Sequence, residues 1–139
     1  MLVLDTNHIV ELGYPSSRSE RLLGRLAADP RPLAVTIISA EEQLRGWMAQ
    51  MHRTSDPLRL PPLYQQFQER IEYYAECLVL PWEEEAAVRF LQFRRQRIRI
   101  GTQDLKIACI ALSFEATLLT RNLSDFRQVP GLLVENWLD

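Results

Sequence analysis

Apolar runs too short for helices and too unbroken for one-sided strands constrain this chain most. Leu2-Val3-Leu4, Leu33–Thr36, Val79-Leu80, Thr117–Thr120 and Leu132-Leu133-Val134 show no alternation of apolar and polar residues. A strand of that kind needs cover on both faces, which a parallel sheet between two helical layers provides. The stretches between the runs have helical patterns. Ser16 or Ser17 can cap a helix with Leu22, Leu23, Leu26 and Ala27 on one face, broken by Asp29-Pro30-Arg31-Pro32. Ser39 begins the next helix, with Leu44, Trp47, Met48 and Met51 at helical spacing. Beyond the proline-bearing break at 53–62, Leu63, Phe67, Ile71, Tyr74 and Leu78 form a further stripe. Glu83-Glu84-Glu85 opens another helix and Arg94-Arg95-Gln96-Arg97 closes it, as the helix dipole favours. Thr102 can cap a last helix to about Phe114, apolar around most of its circumference and so expected to be deeply buried. Strands alternating with helices give an α/β fold with a central, mainly parallel sheet. A length of 139 residues suits one domain, 1–139. The helix pair around 38–78 is expected to project as a hairpin, a natural place for a dimer or partner contact.

Charge narrows the function classes. The formal net charge is −2, so no global basic field draws in nucleic acid; an enzyme that meets phosphate through a bound metal stays open. Lys106 is the only lysine, and arginine supplies the rest of the positive charge. The run Arg94, Arg95, Arg97, Arg99 can follow a phosphate backbone, or be a solvated helix end. Cys77 and Cys109 lack a CxxC spacing or a partnered histidine, so both are expected to be small buried hydrophobes in a reducing compartment. The longest apolar run, Ile107–Leu112, is too short to span a bilayer, and the first residues do not resemble a signal peptide. The expected location is the cytoplasm. His8 and His52 have no acid–base partner in the sequence and are expected to be structural. No Walker loop, Gly-x-Gly-x-x-Gly or Ser/His/Asp arrangement is present.

In open α/β sheets ligands bind beyond the carboxyl ends of the strands. Asp5-Thr6-Asn7 follows the first strand, Glu42 lies shortly after the second, and Thr120-Arg121-Asn122 with Asp125 follows a late one. Asp104 sits in the first turn of the most apolar helix. Acids brought together from such distant positions repel one another unless a cation compensates, and oxygen-only ligands suit Mg²⁺ or Mn²⁺. Each acid also has a local explanation. Asp5 can start a turn or cap a helix, Ser39 and Glu42 have capping-box spacing, Asp104 complements a helix dipole, and Asp125 can be a turn residue.

In order, these clusters resemble the motifs of the PIN-domain family, in particular the VapC-like toxins of bacterial toxin–antitoxin pairs. Leu4-Asp5-Thr6-Asn7 is similar to the family's opening motif, and Ser39-x-x-Glu42-x-Leu44 with Gly46 to its second. Asp104-Leu105-Lys106-Ile107-Ala108 is similar to the third. Leu119 through Phe126, followed by Val129-Pro130-Gly131-Leu132, is similar to the fourth. Gln43 interrupts the family's usual Glu-Leu pair, which makes Glu41 the alternative to Glu42; the distance to Gly46 favours Glu42. The resemblance implies a PIN-like three-layer α/β/α sandwich, a homodimer, and a small antitoxin protein that blocks the metal site. It implies a metal-dependent endoribonuclease that hydrolyses RNA to a 5′-phosphate and a 3′-hydroxyl. Asp5, Glu42 and Asp104 would hold Mg²⁺ or Mn²⁺; either Asp125 or Asn122 would be the fourth member, binding a second metal or positioning water. Thr6, Asn7 and Thr120, with Asn122, would position water or phosphate. The alternatives are a catalytically inactive PIN-like protein-binding module and, more distantly, a metal-dependent phosphatase acting on a small substrate.

Overall fold

Five short strands form one parallel sheet in the computed structural model, which describes residues 1–139. In chain order the elements are β1 (Leu2–Leu4), α1 (Thr6–Leu12), α2 (Ser17–Ala28), β2 (Leu33–Thr36), α3 (Ile37–His52) and α4 (Pro61–Glu76). Then come β3 (Val79–Leu80), α5 (Glu84–Arg95), α6 (Thr102–Ser113), β4 (Thr117–Leu119), α7 (Leu123–Phe126) and β5 (Leu133–Glu135). A 3-10 turn at Pro57–Arg59 joins α3 to α4. The strand order is β3-β2-β1-β4-β5, with Leu2 beside both Leu33 and Thr117, and Leu4 beside Leu119. β1 is central, and the chain's path reverses across it: β2 lies on one side and β4 on the other.

The unbroken apolar runs are explained by two cores, one on each face of the sheet. Val3, Ala34 and Leu118 pack with α5 and α6, among them Phe93, Leu105, Ile107 and Ile110. Leu2, Leu4, Val35 and Leu119 pack on the other face with Ile9, Leu22, Ala40 and Tyr74. In the inner strands β1, β2 and β4 successive residues therefore serve opposite layers, whereas the edge strand β5 leaves Leu133 and Glu135 exposed. Helix α6 is as buried as its composition requires: Leu105 and Ile107 through Ala111 are all fully inaccessible. Each large one contributes about 1.5–3 kcal/mol by leaving water. No helix is long and apolar enough to cross a membrane.

Several local expectations are corrected. Helix α3 starts earlier than Ser39. Thr36 is its cap, and the Thr36 hydroxyl accepts the Ser39 N–H at 3.2 Å. The capping-box explanation of Glu42 therefore fails: Glu42 lies in the second turn of α3, beyond the reach of the cap. Thr102 is the first residue of α6 rather than its cap, and its hydroxyl accepts from Arg94 Nη2 at 2.8 Å. Ser16, not Ser17, caps α2, by reciprocal bonds with Ser19. On α2 only Leu22 is fully buried, while Leu23 and Ala27 are exposed, so the apolar face is narrower than the spacing suggests. Leu78 lies beyond the end of α4 and is exposed, as is Ile71. Cys109 is buried as expected, but Cys77 is only half-buried; both thiols are free. His52 is exposed in the last turn of α3, whereas His8 is fully buried. Helices α3 and α4 pack on each other as a hairpin.

Candidate metal centre

The site forms where the chain's path reverses, at the carboxyl ends of β1 and β4. Asp5 ends β1 and caps α1, its Oδ1 accepting the Thr6 N–H at 2.8 Å. Thr120, just past β4, donates its hydroxyl to Asp5 Oδ2 at 2.8 Å. The Asn7 amide donates to the same oxygen at 3.3 Å. An ionised carboxylate has about four acceptor positions. Three donors therefore fix Asp5 and leave one position for a cation, a water or a substrate hydroxyl. Thr120 is itself anchored, since its Oγ1 accepts the Asn122 N–H at 3.0 Å. Both Asp5 and Thr120 are buried.

Glu42 reaches the same place from α3. The Thr6 hydroxyl stands 3.5 Å from Glu42 Oε1 and 3.1 Å from Ser39 Oγ. Ser39 is fully buried one helical turn before Glu42, and it ties α3 to the start of α1. Sequence reasoning gave Ser39 a capping role and missed this contact; its position three residues before an acid on one helix face is the available signal. The competing acid, Glu41, turns elsewhere: it accepts from Gln103 Nε2 at 2.8 Å and pairs with Arg45. Gln43 accepts from the Tyr74 hydroxyl. Gly46 has open space where a side chain would stand, so nothing steric at that position demands glycine.

Asp104 comes from the first turn of α6, and α7 brings Asn122 and Asp125. The Asn122 amide donates to Asp125 Oδ2 at 2.9 Å. The acids act on one another through their charges. Burial, then the charges of Asp5 and Asp125, push the Asp104 carboxyl up from 3.8 to about 6, with the Asn122 amide pulling the other way. Burial, then Asp104 and Asp5, raise Glu42. Burial raises Asp5, against the donors from Thr120, Thr6 and Asn7. No basic side chain is among the causes of these three shifts. Several cations have partners of their own: Arg121 pairs with Asp139, Arg45 with Glu41, Arg94 with Thr102 and the Ile100 carbonyl, and the Lys106 ammonium stands over the Trp82 ring. Arg95, Arg97 and Arg99 are exposed.

Oxygen ligands that repel one another, with no cation to balance them, suit a hard divalent ion. The acids share a rim without closing on a point: no three His, Cys, Asp or Glu side chains form a group tight enough to hold a metal as they stand. A cation such as Mg²⁺, which keeps several of its waters, does not require such closure.

The chain matches the family described as PIN domain over residues 2–132. It is 28% identical to Ribonuclease VapC2 of Rickettsia felis over 137 residues, covering 97% of this chain and 96% of that protein. It is 29% identical to Ribonuclease VapC1 of Haemophilus influenzae over 142 aligned positions, with the same coverage. Among solved structures, VapBC-1 from nontypeable Haemophilus influenzae superposes with a TM-score of 0.76 at 26% identity, over 99% of this chain and 98% of that one. VapBC2 from Rickettsia felis, bound to a DNA fragment from its promoter, has the same fold at a TM-score of 0.71 and 24% identity, each chain covered to 98%.

Proposed function

The chain belongs to the PIN-domain family, and we propose that it is a divalent-metal-dependent endoribonuclease, the toxin of a toxin–antitoxin pair. The observation that carries this reading is the uncompensated acid rim: Asp5, Glu42, Asp104 and Asp125 arrive from four parts of the chain, and three of them are driven toward their protonated forms. Relatives named as ribonucleases along their whole length support RNA as the substrate. Structures of toxin–antitoxin complexes with this fold support a small antitoxin as partner.

Asp5, Glu42 and Asp104 would hold Mg²⁺ or Mn²⁺, with Asp125 or Asn122 completing the set. A bound divalent ion would offset the repulsion among the acids, acidify a water and screen the charge of a phosphate. The chain's own groups then have distinct tasks. Thr120, Thr6 and Asn7 orient the Asp5 carboxylate. The Thr6 hydroxyl also steadies Glu42, and Asn122 faces both Asp104 and Asp125 to place water or phosphate. The exposed arginines 95, 97 and 99 lie along the RNA backbone, giving affinity without sequence choice. The protein acts as one domain over residues 1–139, works in the cytoplasm, and dimerises through the α3–α4 hairpin.

The test is cleavage of RNA by the purified chain with Mg²⁺ or Mn²⁺. Cleavage should stop with EDTA and in Asp5→Asn; cleavage that survives chelation overturns the proposal. Expression should arrest growth unless the antitoxin is co-expressed. The open spacing of the acids favours one second reading, an inactive module that works through its partner. Calorimetry separates the two, since an inactive module takes up no Mn²⁺ in an Asp104-dependent manner.

A further inference from the structure

Behind Asp5 a line of hydrogen bonds runs inward to the segment that follows β5. His8 is fully buried, one residue beyond Asn7. Its Nε2 faces the backbone N–H of Trp137 at 3.3 Å, and its Nδ1 stands 2.8 Å from Asn7 Oδ1. A backbone N–H can only donate, so Nε2 must carry the lone pair. A neutral imidazole has one ring proton, and here it must sit on Nδ1 and point at Asn7. The ring is neutral near pH 7, because burial and the charge of Arg121 hold its pKa at about 4.

Asn7 Oδ1 also accepts the Arg121 N–H at 3.3 Å. Two fixed donors on the oxygen leave the amide one orientation, with Nδ2 toward Asp5 Oδ2. The flipped amide would set its NH₂ against both donors and its oxygen against the carboxylate. The far end of the line is held as well. Trp137 is buried, its ring N–H donates to Glu135 Oε2 at 2.6 Å, and the Arg25 guanidinium covers its ring at 4.2 Å.

We propose that His8 is a positioning residue: locked by the Trp137 backbone with its proton on Nδ1, it fixes the Asn7 amide as a donor and thereby aims the Asp5 carboxylate. Its consequence for metal affinity rests on the reading of Asp5 as a metal ligand; its consequence for Asn7 does not. The nearest expectation from metal sites is that a group orienting a ligand changes affinity by about 10–100-fold when removed.

Two substitutions separate positioning from packing. In His8→Asn the side-chain amide can place its N–H where Nδ1 stood and keep the donor to Asn7, losing the acceptor for Trp137. In His8→Gln the carbonyl can reach the Nε2 position and keep Trp137 while losing the donor. A purely structural His8 would make Mn²⁺ affinity follow Tm across both variants. Positioning predicts that His8→Gln weakens Mn²⁺ binding by about tenfold or more at a Tm no lower than that of His8→Asn, whose Mn²⁺ affinity stays near that of the parent. In the metal-free protein the Asn7 side-chain amide protons should exchange faster in His8→Gln than in His8→Asn. Unchanged exchange and unchanged affinity in His8→Gln would overturn the proposal. If the parent binds no Mn²⁺, the metal reading falls and amide exchange alone decides the role of His8. Should the variants not fold, imidazole ¹⁵N shifts of the unsubstituted chain decide: a proton on Nε2 overturns the proposal.

Discussion

Asp5 and Asp104 bring the same carboxyl group to the same rim and are held there by different means. Asp5 is buried and receives three hydrogen bonds, from Thr6, Asn7 and Thr120, so its position is set by neighbours that stay in place without a cation. Asp104 is half-buried, and the charges of Asp5 and Asp125 raise its pKa with only the Asn122 amide opposing them. One carboxylate is organised by the fold; the other is left for whatever binds. If a cation binds here as proposed, such a site would separate placement, fixed by the hydrogen-bonded Asp5, from affinity, to which the mutual repulsion at Asp104 would contribute.

The largest effect expected from breaking this contrast lies at Asp5. Asp5→Ala leaves the Thr120 hydroxyl, the Asn7 amide and the Thr6 N–H without their acceptor and should destabilise the protein by about 1–3 kcal/mol. Urea unfolding of the metal-free chain measures it, and an unchanged midpoint would show that these bonds organise nothing.

Asp104 should behave in the opposite sense. Its folded value of about 6 lies above its ordinary 3.8, so the ionised form destabilises the metal-free fold. That penalty is complete above about pH 6, shrinks as pH falls through that value, and is gone below about 3.8. Asp104→Asn should therefore raise Tm at pH 7 without metal, and the difference should close toward pH 4. The same variant should lose Mn²⁺ affinity, so added metal reverses the order of stabilities. Thermal melts at several pH values, with and without Mn²⁺, give both results; a variant less stable than the parent at pH 7 without metal contradicts the contrast.

The smallest effect is a control far from any acid of the rim. Glu115, just past the end of α6, has a φ of 52° and is exposed, while the next N–H bonds back to the Ala111 carbonyl. That left-handed position favours glycine. Glu115→Gly should raise stability by up to about 1 kcal/mol and leave Mn²⁺ affinity untouched, which calorimetry checks. A change in affinity would mean that metal binding simply follows global stability.

Legibility in the sequence followed how local each cause was. The inner strands could be read because burial on both faces leaves an unbroken apolar run, and the burial of α6 because its composition admits no solvent face. Helix α1 escaped because its seven residues are too few for a repeating stripe. The start of α3 was misplaced because Thr36 and Ser39 are equally good caps by type, and β2 passes into α3 without a loop to mark the join. With Thr36 as the cap, the local capping-box explanation of Glu42 is gone. His8 could be named as a buried histidine at most; its orienting contacts come from residue 137, more than a hundred positions away.

By itself the sequence determined which segments are strands, that the inner strands are covered on both sides, and which acids lie near strand or helix ends. These follow from side-chain polarity and from spacing within a few residues. Tertiary structure alone decided which of those acids share a rim, because that depends on the order β3-β2-β1-β4-β5, which sets Thr120 against Asp5. It also decided the protonation and tautomer of the groups around them, since burial and long-range hydrogen bonds are properties of the folded chain.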